Sequence, residues 1–421
     1  MTWFLFISYL LIFCWLLINS RFIISSGINL KIVTGIFLLK GLIGIASGWI
    51  MLHYFNGADT WQYHGEALKE YRLLFIDPKE YFLNIFHSGY RSPYSGLFNS
   101  ANSYWNDLKS NLIIKLLSVF DIFSGGNYYT NVIFFNFIVL FGNVALYKVF
   151  AAIYKGKENI LLISCFLLPS FLLFTSSVHK EGLILSALGI ATYILYNSLN
   201  KKRISITGIS AIFFCLLYIF LQRNFILIAL LPALFAWVLV SVKQYRPLKT
   251  FAIVYSIGAI IFFTSGMIAG TTDLPQYVVE KQSSFLELKK ARSTIPIDTL
   301  HPSFISFIQN GPQAFNHGAM RPYICDGAAA PFLYPFTIEF IVYQLLLIVF
   351  IFFCERGIPA SINDRSFILF GLFFSLSLIM IIGYTIPIIG AIIRYRSIYL
   401  PFILSPILCS ISWKRLNYRK Y

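Results

Sequence analysis

Five short stretches of this 421-residue chain set ionisable side chains at the ends of apolar runs, and their residue types suit two kinds of chemistry. One is the activation of a hydroxyl. Asp59 and His64 close the stretch Asn56-Gly-Ala-Asp59-Thr-Trp-Gln-Tyr63-His64, while His179, Lys180 and Glu181 stand together between two apolar runs. A carboxylate at a lipid boundary has its pKa raised by desolvation unless a cation compensates, and this is one way to tune a general base for a sugar hydroxyl. Asp59 could equally cap a helix by accepting hydrogen bonds from the following amides. Lys180 and Glu181 could neutralise each other.

The other chemistry is phosphate binding. Arg223 interrupts Leu221-Gln-Arg-Asn-Phe225, Arg321 and Tyr323 follow Asn316 and His317, and Arg394 and Arg396 separate the last two apolar runs. Guanidinium groups bind phosphate oxygens in pairs. Arg223, Arg321, Arg394 and Arg396, converging with Lys180, would suit a lipid diphosphate headgroup. Against this, Arg223 could be a snorkelling turn residue, and Arg394 and Arg396 could pair with loop carboxylates. Trp61, Tyr63, Tyr90, Tyr94, Tyr104 and Trp105 offer faces for sugar stacking, although aromatic residues are also expected as interface anchors.

The elements that must position these groups follow from composition. The chain is 58% apolar, 18% aromatic and only 12% charged, with a mean hydropathy of +0.73. Soluble chains carry about twice that charge, so the composition predicts an all-α polytopic integral membrane protein forming a single transmembrane domain over 1–421. Apolar stretches able to cross about 30 Å of hydrocarbon fall at 2–19, 32–54, 131–154, 159–177, 182–199, 204–222, 224–242, 250–269, 336–354, 366–388 and 397–412. Eleven spans are therefore expected. The first lacks a basic leader region and a small-residue cleavage site, and reads as a retained helix rather than a signal peptide.

Eleven spans sort the bases into two sets of loops. One set holds 17 bases, among them Arg356, Lys414, Arg415, Arg419 and Lys420, against three acids, a net +14; the other holds 15 bases and 14 acids. Lys40, inside the second span and expected to snorkel, completes the formal +16. By the positive-inside rule the N-terminus faces out and the C-terminus faces the cytoplasm. The charge thus orients the chain and does not point to nucleic acid.

Only the outer set contains long loops, 55–130 and 270–335. The first includes Asp59–Phe75, Pro78–Phe86 and Ser103–Phe123, mixed sequences suited to helices lying in the interface, and a Ser-Gly-Gly break at 124–126. The short basic loops leave no room for a nucleotide-binding module. No Walker or GxGxxG pattern stands at a strand-to-helix turn, and no internal repeat of the kind common in transporters is found. The six cysteines have no CxxC or Cys/His spacing, so neither a disulfide framework nor a zinc site is indicated.

The stretch Gly57-Ala-Asp59-Thr-Trp-Gln-Tyr63 resembles the G-x-D-T/S-x-x-Y signature of Wzy/EpsG-type polysaccharide polymerases and, more loosely, the first-loop aspartate of GT-C membrane glycosyltransferases. Ser176-Ser-Val-His-Lys-Glu-Gly182 resembles the polymerases' second motif, with Lys180-Glu181 where Arg-Gln is expected. It is also similar in position to the second acidic loop of the GT-C enzymes. Phe220-Leu-Gln-Arg-Asn-Phe-Ile-Leu resembles a short polar turn before another polymerase helix. The motifs cover roughly the first 240 residues.

The resemblance implies a GT-C-like fold in a bacterial cytoplasmic membrane and an active site facing outward. It implies transfer of a sugar or repeat unit from a polyprenyl phosphate or diphosphate donor to a glycan acceptor. Asp59, His64, His179 and Glu181 would be the catalytic candidates, and Tyr63, Lys180, Arg223, Arg321, Tyr323, Arg394 and Arg396 the substrate-binding ones. No cofactor is required for the polymerase reading, whereas the GT-C reading brings a divalent cation, magnesium or manganese. Membrane lipid and a chain-length regulator are the implied partners. A lipid-linked glycan transporter or flippase is the reading from another class.

Overall fold

The computed structural model describes residues 2–90, 94, 103–269, 273–288, 290–355 and 361–413. Arg356, Lys414, Arg415, Arg419 and Lys420, and parts of both long loops, lie outside the described residues. The described residues form helices and no strand, as the composition predicts.

Among the described residues, eight helices are long and apolar enough to cross a membrane, or nine when a bent pair is counted as one span. In chain order the helices used below are α1 (Thr2–Asn19), α2 (Leu30–Tyr54), α3 (Ala58–Ile76), α4 (Tyr104–Ser124), α5 (Tyr128–Ile153), α6 (Pro169–Ser176) and α7 (Lys180–Lys201). They continue with α8 (Ile206–Gln222), α9 (Asn224–Lys243), α10 (Pro247–Ala269), α11 (Leu274–Leu286), α12 (Phe304–Ala319), α13 (Tyr334–Phe353), α14 (Ile362–Thr385) and α15 (Ile389–Ser410). Of the eleven expected spans, the first and sixth correspond to α1 and α8, apolar helices shorter than the other spans. The fourth is the bent pair: a π-helical turn at Ile163–Leu167 meets Pro169, and the axis turns by 52° before α6. Proline cannot donate the hydrogen bond that would continue the first segment.

The bundle is drawn together by small residues. A Cβ on Gly142 of α5 would lie 2.1 Å from the Ser186 Cα of α7, and one on Gly189 would lie 2.3 Å from the Gly142 carbonyl oxygen. These two helices touch backbone to backbone, the close packing that dispersion favours between helices in lipid. Aromatic rings fill the wider gaps, with Trp237 of α9 against Phe367 and Phe370 of α14.

The described parts of the long loops are held by turns and polar contacts. Gly125 and Gly126, with φ of 64° and 77°, end α4 at the expected break. In the second loop, buried Gln282 of α11 donates to the carbonyls of Asp298 and Tyr384 and accepts from the Leu300 amide. The Thr294–Ile295 segment then pairs with the start of α15, Ile295 N donating to Pro387 O at 2.7 Å and Ile389 N to Ser293 O at 3.0 Å. The last span is thus clamped to the loop just before Arg394.

Lys40 corrects one expectation. It does not snorkel but is buried, its Nζ donating to the Thr175 carbonyl (3.2 Å), Thr175 Oγ1 (2.9 Å) and Ser176 Oγ (3.2 Å). Thr175 and Ser176 end α6, whose last carbonyls have no partner within the helix, so the ammonium caps a broken helix instead of reaching for the interface.

Candidate functional site

At the end of the bundle that carries the long loops, α2 leaves through Asn56, Gly57 and Ala58, all with positive φ. Only glycine adopts that conformation without steric cost, and Gly57, at φ 85°, is the N-cap of α3. Asp59 therefore lies inside the first turn and is not the cap, which disposes of the capping alternative. Helix α3 is fixed by the Thr60 hydroxyl on Tyr128 Oη (2.7 Å) and by Trp61, which donates to the Gly48 carbonyl at 2.8 Å and stacks on Tyr128. Trp61 is thereby spoken for, as is Thr60, and the Asp59 carboxylate is left half-exposed.

The hairpin between α6 and α7 brings His179, Lys180 and Glu181 to the same place. His179 is the extended N-cap of α7, so the next two residues stand in its first turn, where a carboxylate is favoured by the helix dipole. Glu181 does not pair with Lys180. Its Oε1 accepts from Arg223 Nη2 at 3.1 Å and lies 3.7 Å from Arg394 Nε. Arg394 Nη1 in turn donates to Asp59 Oδ2 at 3.1 Å. Arg223 is the single extended residue between α8 and α9, and both guanidiniums rest near the Tyr395 ring, at 4.8 and 5.4 Å from its centre. Lys180 Nζ lies 3.4 Å from Ser110 Oγ and 5.0 Å above the Tyr63 ring.

Asp59, Tyr63, His179, Lys180, Glu181, Arg223 and Arg394 thus form one cluster that holds two carboxylates, two guanidiniums and a buried lysine. Burial pushes the Asp59 pKa up, but Arg394 outweighs it and holds the carboxyl below the ordinary carboxylate value. The compensating cation foreseen for a boundary carboxylate is therefore present. Burial, with Arg394 adding to it, pushes His179 down to about 4, so that the imidazole is neutral at physiological pH. Burial and then the Asp59 charge raise the Tyr63 phenol to about 12.

The remaining predicted residues lie elsewhere. His64 is buried against Tyr128 with Nδ1 4.0 Å from Asp121 Oδ1. Burial lowers the imidazole to about 4 and raises Asp121 to about 6, so at neutral pH the contact is a neutral ring beside a carboxylate rather than an ion pair. Arg321 pairs with Asp326 at 2.7 Å, and the Tyr323 hydroxyl donates to Asn316. Arg396 donates to the carbonyls of Gly318 (3.1 Å) and Arg321 (2.6 Å) and stacks on Phe340. These three residues bind the end of α12 to α15 and do not join the cluster.

Sequence reasoning missed Lys109 and Lys281. With Arg223 and Trp105 they line a small open pocket beside the cluster. Neither lysine stands at the end of an apolar run, so no local cost marked them. Among the described residues, no three His, Cys, Asp or Glu side chains come together as a metal-binding group. Glu181 faces two guanidiniums, which would repel a divalent cation, so the metal of the GT-C reading does not fit here and no step below uses one.

Comparison with known proteins returned no matching family model, no similar curated protein and no similar solved structure. The chain is a multi-pass membrane protein by its apolar helices.

Proposed function

We propose that this protein is an extracytoplasmic glycosyltransferase of the polysaccharide-polymerase type, joining glycan units carried on polyprenyl diphosphate in a bacterial cytoplasmic membrane. The observation that carries the reading is the Asp59–Arg394–Glu181–Arg223 chain of contacts at the mouth of the bundle. It sets a half-exposed carboxylate beside two guanidiniums at lipid-boundary depth, as an acceptor hydroxyl and a lipid diphosphate require.

In this mechanism the acceptor hydroxyl donates to Asp59 and its oxygen attacks the anomeric carbon of the donor sugar. The bond from that carbon to the diphosphate oxygen breaks, the electron pair leaves with the diphosphate, and the hydroxyl proton passes to Asp59. Arg394 and Arg223 stabilise the charge that develops on the leaving group. Arg394 also tunes the base. As it turns towards the diphosphate, Asp59 loses the charge that depresses its pKa and gains proton affinity when the proton must move. Glu181 holds both guanidiniums in place, and neutral His179 adds no competing positive charge. Lys180, buried over Tyr63, contributes a further hydrogen-bond donor.

The orientation rests on the net +14 of the short loops. Alkaline phosphatase fused after Lys202 is expected to be inactive and after His301 active. For the chemistry, surface glycan is resolved on a gel from cells carrying Asp59→Asn, Glu181→Gln or wild-type protein. Both variants are expected to reach the membrane and to lose long chains. Normal chain lengths in both would sink the proposal, and transfer of one sugar without a ladder would favour the single-sugar GT-C reading.

A further inference from the structure

The pocket beside the cluster has a lining that a diphosphate does not use. It lies between the first turns of α4, the α8–α9 turn and α11, and includes Trp105, Lys109, Gln222, Arg223 and Lys281. Three of its lining residues are basic and none is a carboxylate. Burial first, and then the neighbouring Arg223, lower Lys109 to about 7 and Lys281 to about 8.

Gln222 points to more than an anion. Its side chain is 1% exposed, yet both its Nε2 and its Oε1 have no hydrogen-bond partner in the protein. A buried amide left unpaired on both atoms is destabilising, and it lines the pocket. Phosphate oxygens could satisfy only the donor, Nε2. The acceptor Oε1 needs a hydroxyl or an N–H from the ligand. The Trp105 ring, edge to face with Phe220 at 5.8 Å between centres, supplies the flat apolar wall on which the C–H face of a sugar ring can lie.

We infer that this pocket binds an acidic sugar residue, its carboxylate among Lys109, Lys281 and Arg223 and a hydroxyl paired with the Gln222 amide. Its place in catalysis rests on the proposed function: Arg223, which also holds Glu181, connects the pocket to the cluster, so that an acidic unit of donor or acceptor would be anchored next to Asp59. The binding itself requires no turnover.

The test uses the full chain in lipid nanodiscs and ligand-observed NMR with glucuronate, glucose and pyrophosphate as probes. Glucuronate is expected to bind saturably, and glucose at least tenfold more weakly. Gln222→Leu and Lys109→Gln should each weaken glucuronate at least fivefold, with Lys281→Gln as the replacement should either variant fail to fold. Equal binding of glucose, or pyrophosphate binding that displaces glucuronate and ignores Gln222→Leu, would overturn the assignment, as would absence of saturable glucuronate binding. The two readings fail separately. Asp59→Asn protein, altered outside the pocket, should still bind glucuronate; unchanged glycan chains in that variant would end the polymerase reading alone, while lost chains without glucuronate binding would end the pocket assignment alone.

Discussion

Arg394 holds Asp59 and Glu181 at once, donating through Nη1 to the first at 3.1 Å while its Nε lies 3.7 Å from the second. One planar guanidinium therefore couples a half-exposed carboxylate to a buried one. A lysine ammonium, a point charge on a flexible stem, cannot make both contacts in fixed geometry.

Arg394→Lys is accordingly expected to lower glycan transfer at least about tenfold, although the charge is kept. In a double-mutant cycle, Asp59→Asn and Arg394→Gln should be non-additive by about 1–3 kcal/mol. Initial rates in membranes of matched protein content give both numbers. Additive effects would mean that the contact has no part in transfer.

The hairpin carrying Glu181 is supported from below by Lys40. Lys40→Met keeps volume and apolar character but leaves the Thr175 carbonyl and two hydroxyls without their donor. The expected result is about a tenfold loss of transfer with normal membrane levels, since an uncapped α6 lets His179–Glu181 drift and small misplacements are costly. Thr175→Val should act in the same direction, more weakly. Wild-type rates in both variants would reduce Lys40 to a packing residue.

Legibility of the site divides along physical lines. Asp59, His179, Glu181, Arg223 and Arg394 can be picked out from sequence because a charge at the end of an apolar run is expensive, and all five meet. Arg396 looks equivalent to Arg394, yet two residues turn a helix by about 200°, so it faces α12 instead. Arg321 is drawn off by Asp326, five residues away, a pairing that spacing alone does not announce. Lys109, Gln222 and Lys281 come from helices far apart in the chain, and only packing assembles them. Much of the helical pattern is visible, the three segments read as helices in the first loop appearing as α3, Pro78–Leu83 with the turn after it, and α4.

The close crossing of α5 and α7 predicts where the fold is least tolerant. Gly142→Ala and Gly189→Ala each place a methyl within 2.3 Å of backbone, and overpacking of this kind costs about 1–3 kcal/mol. Both variants should show lower melting temperatures in detergent and broader size-exclusion peaks than wild type. Gly35→Ala, where an added Cβ meets nothing within 4 Å, is the control and should behave as wild type.

His179 gives the fold an acid sensitivity of known sign. Its pKa is about 4 in the fold and 6.5 ordinarily, so between those values the unfolded chain binds the extra proton and stability falls as pH drops, by at most about 1.4 kcal/mol per unit. Asp59, held below the ordinary carboxylate value, adds loss in the same direction at still lower pH. The lowered His64 acts likewise, but raised Asp121 opposes it over much of the same window. Thermal unfolding of wild type and His179→Gln between pH 6.5 and 4.5 should show the steeper decline in wild type; parallel curves would contradict a buried neutral imidazole.

In the proposed mechanism Asp59 takes the proton while Arg394 and Arg223 receive the leaving diphosphate. Its most direct test is the purified protein in liposomes with a polyprenyl-diphosphate-linked repeat unit, no metal added, with products separated by length and free polyprenyl diphosphate measured. A ladder with one diphosphate released per linkage is expected, at least a hundredfold slower in Asp59→Asn, and slower again in the lipid-binding step for Arg223→Gln. A ladder of unchanged rate in Asp59→Asn, or movement of the lipid across the bilayer with no covalent product, would contradict it.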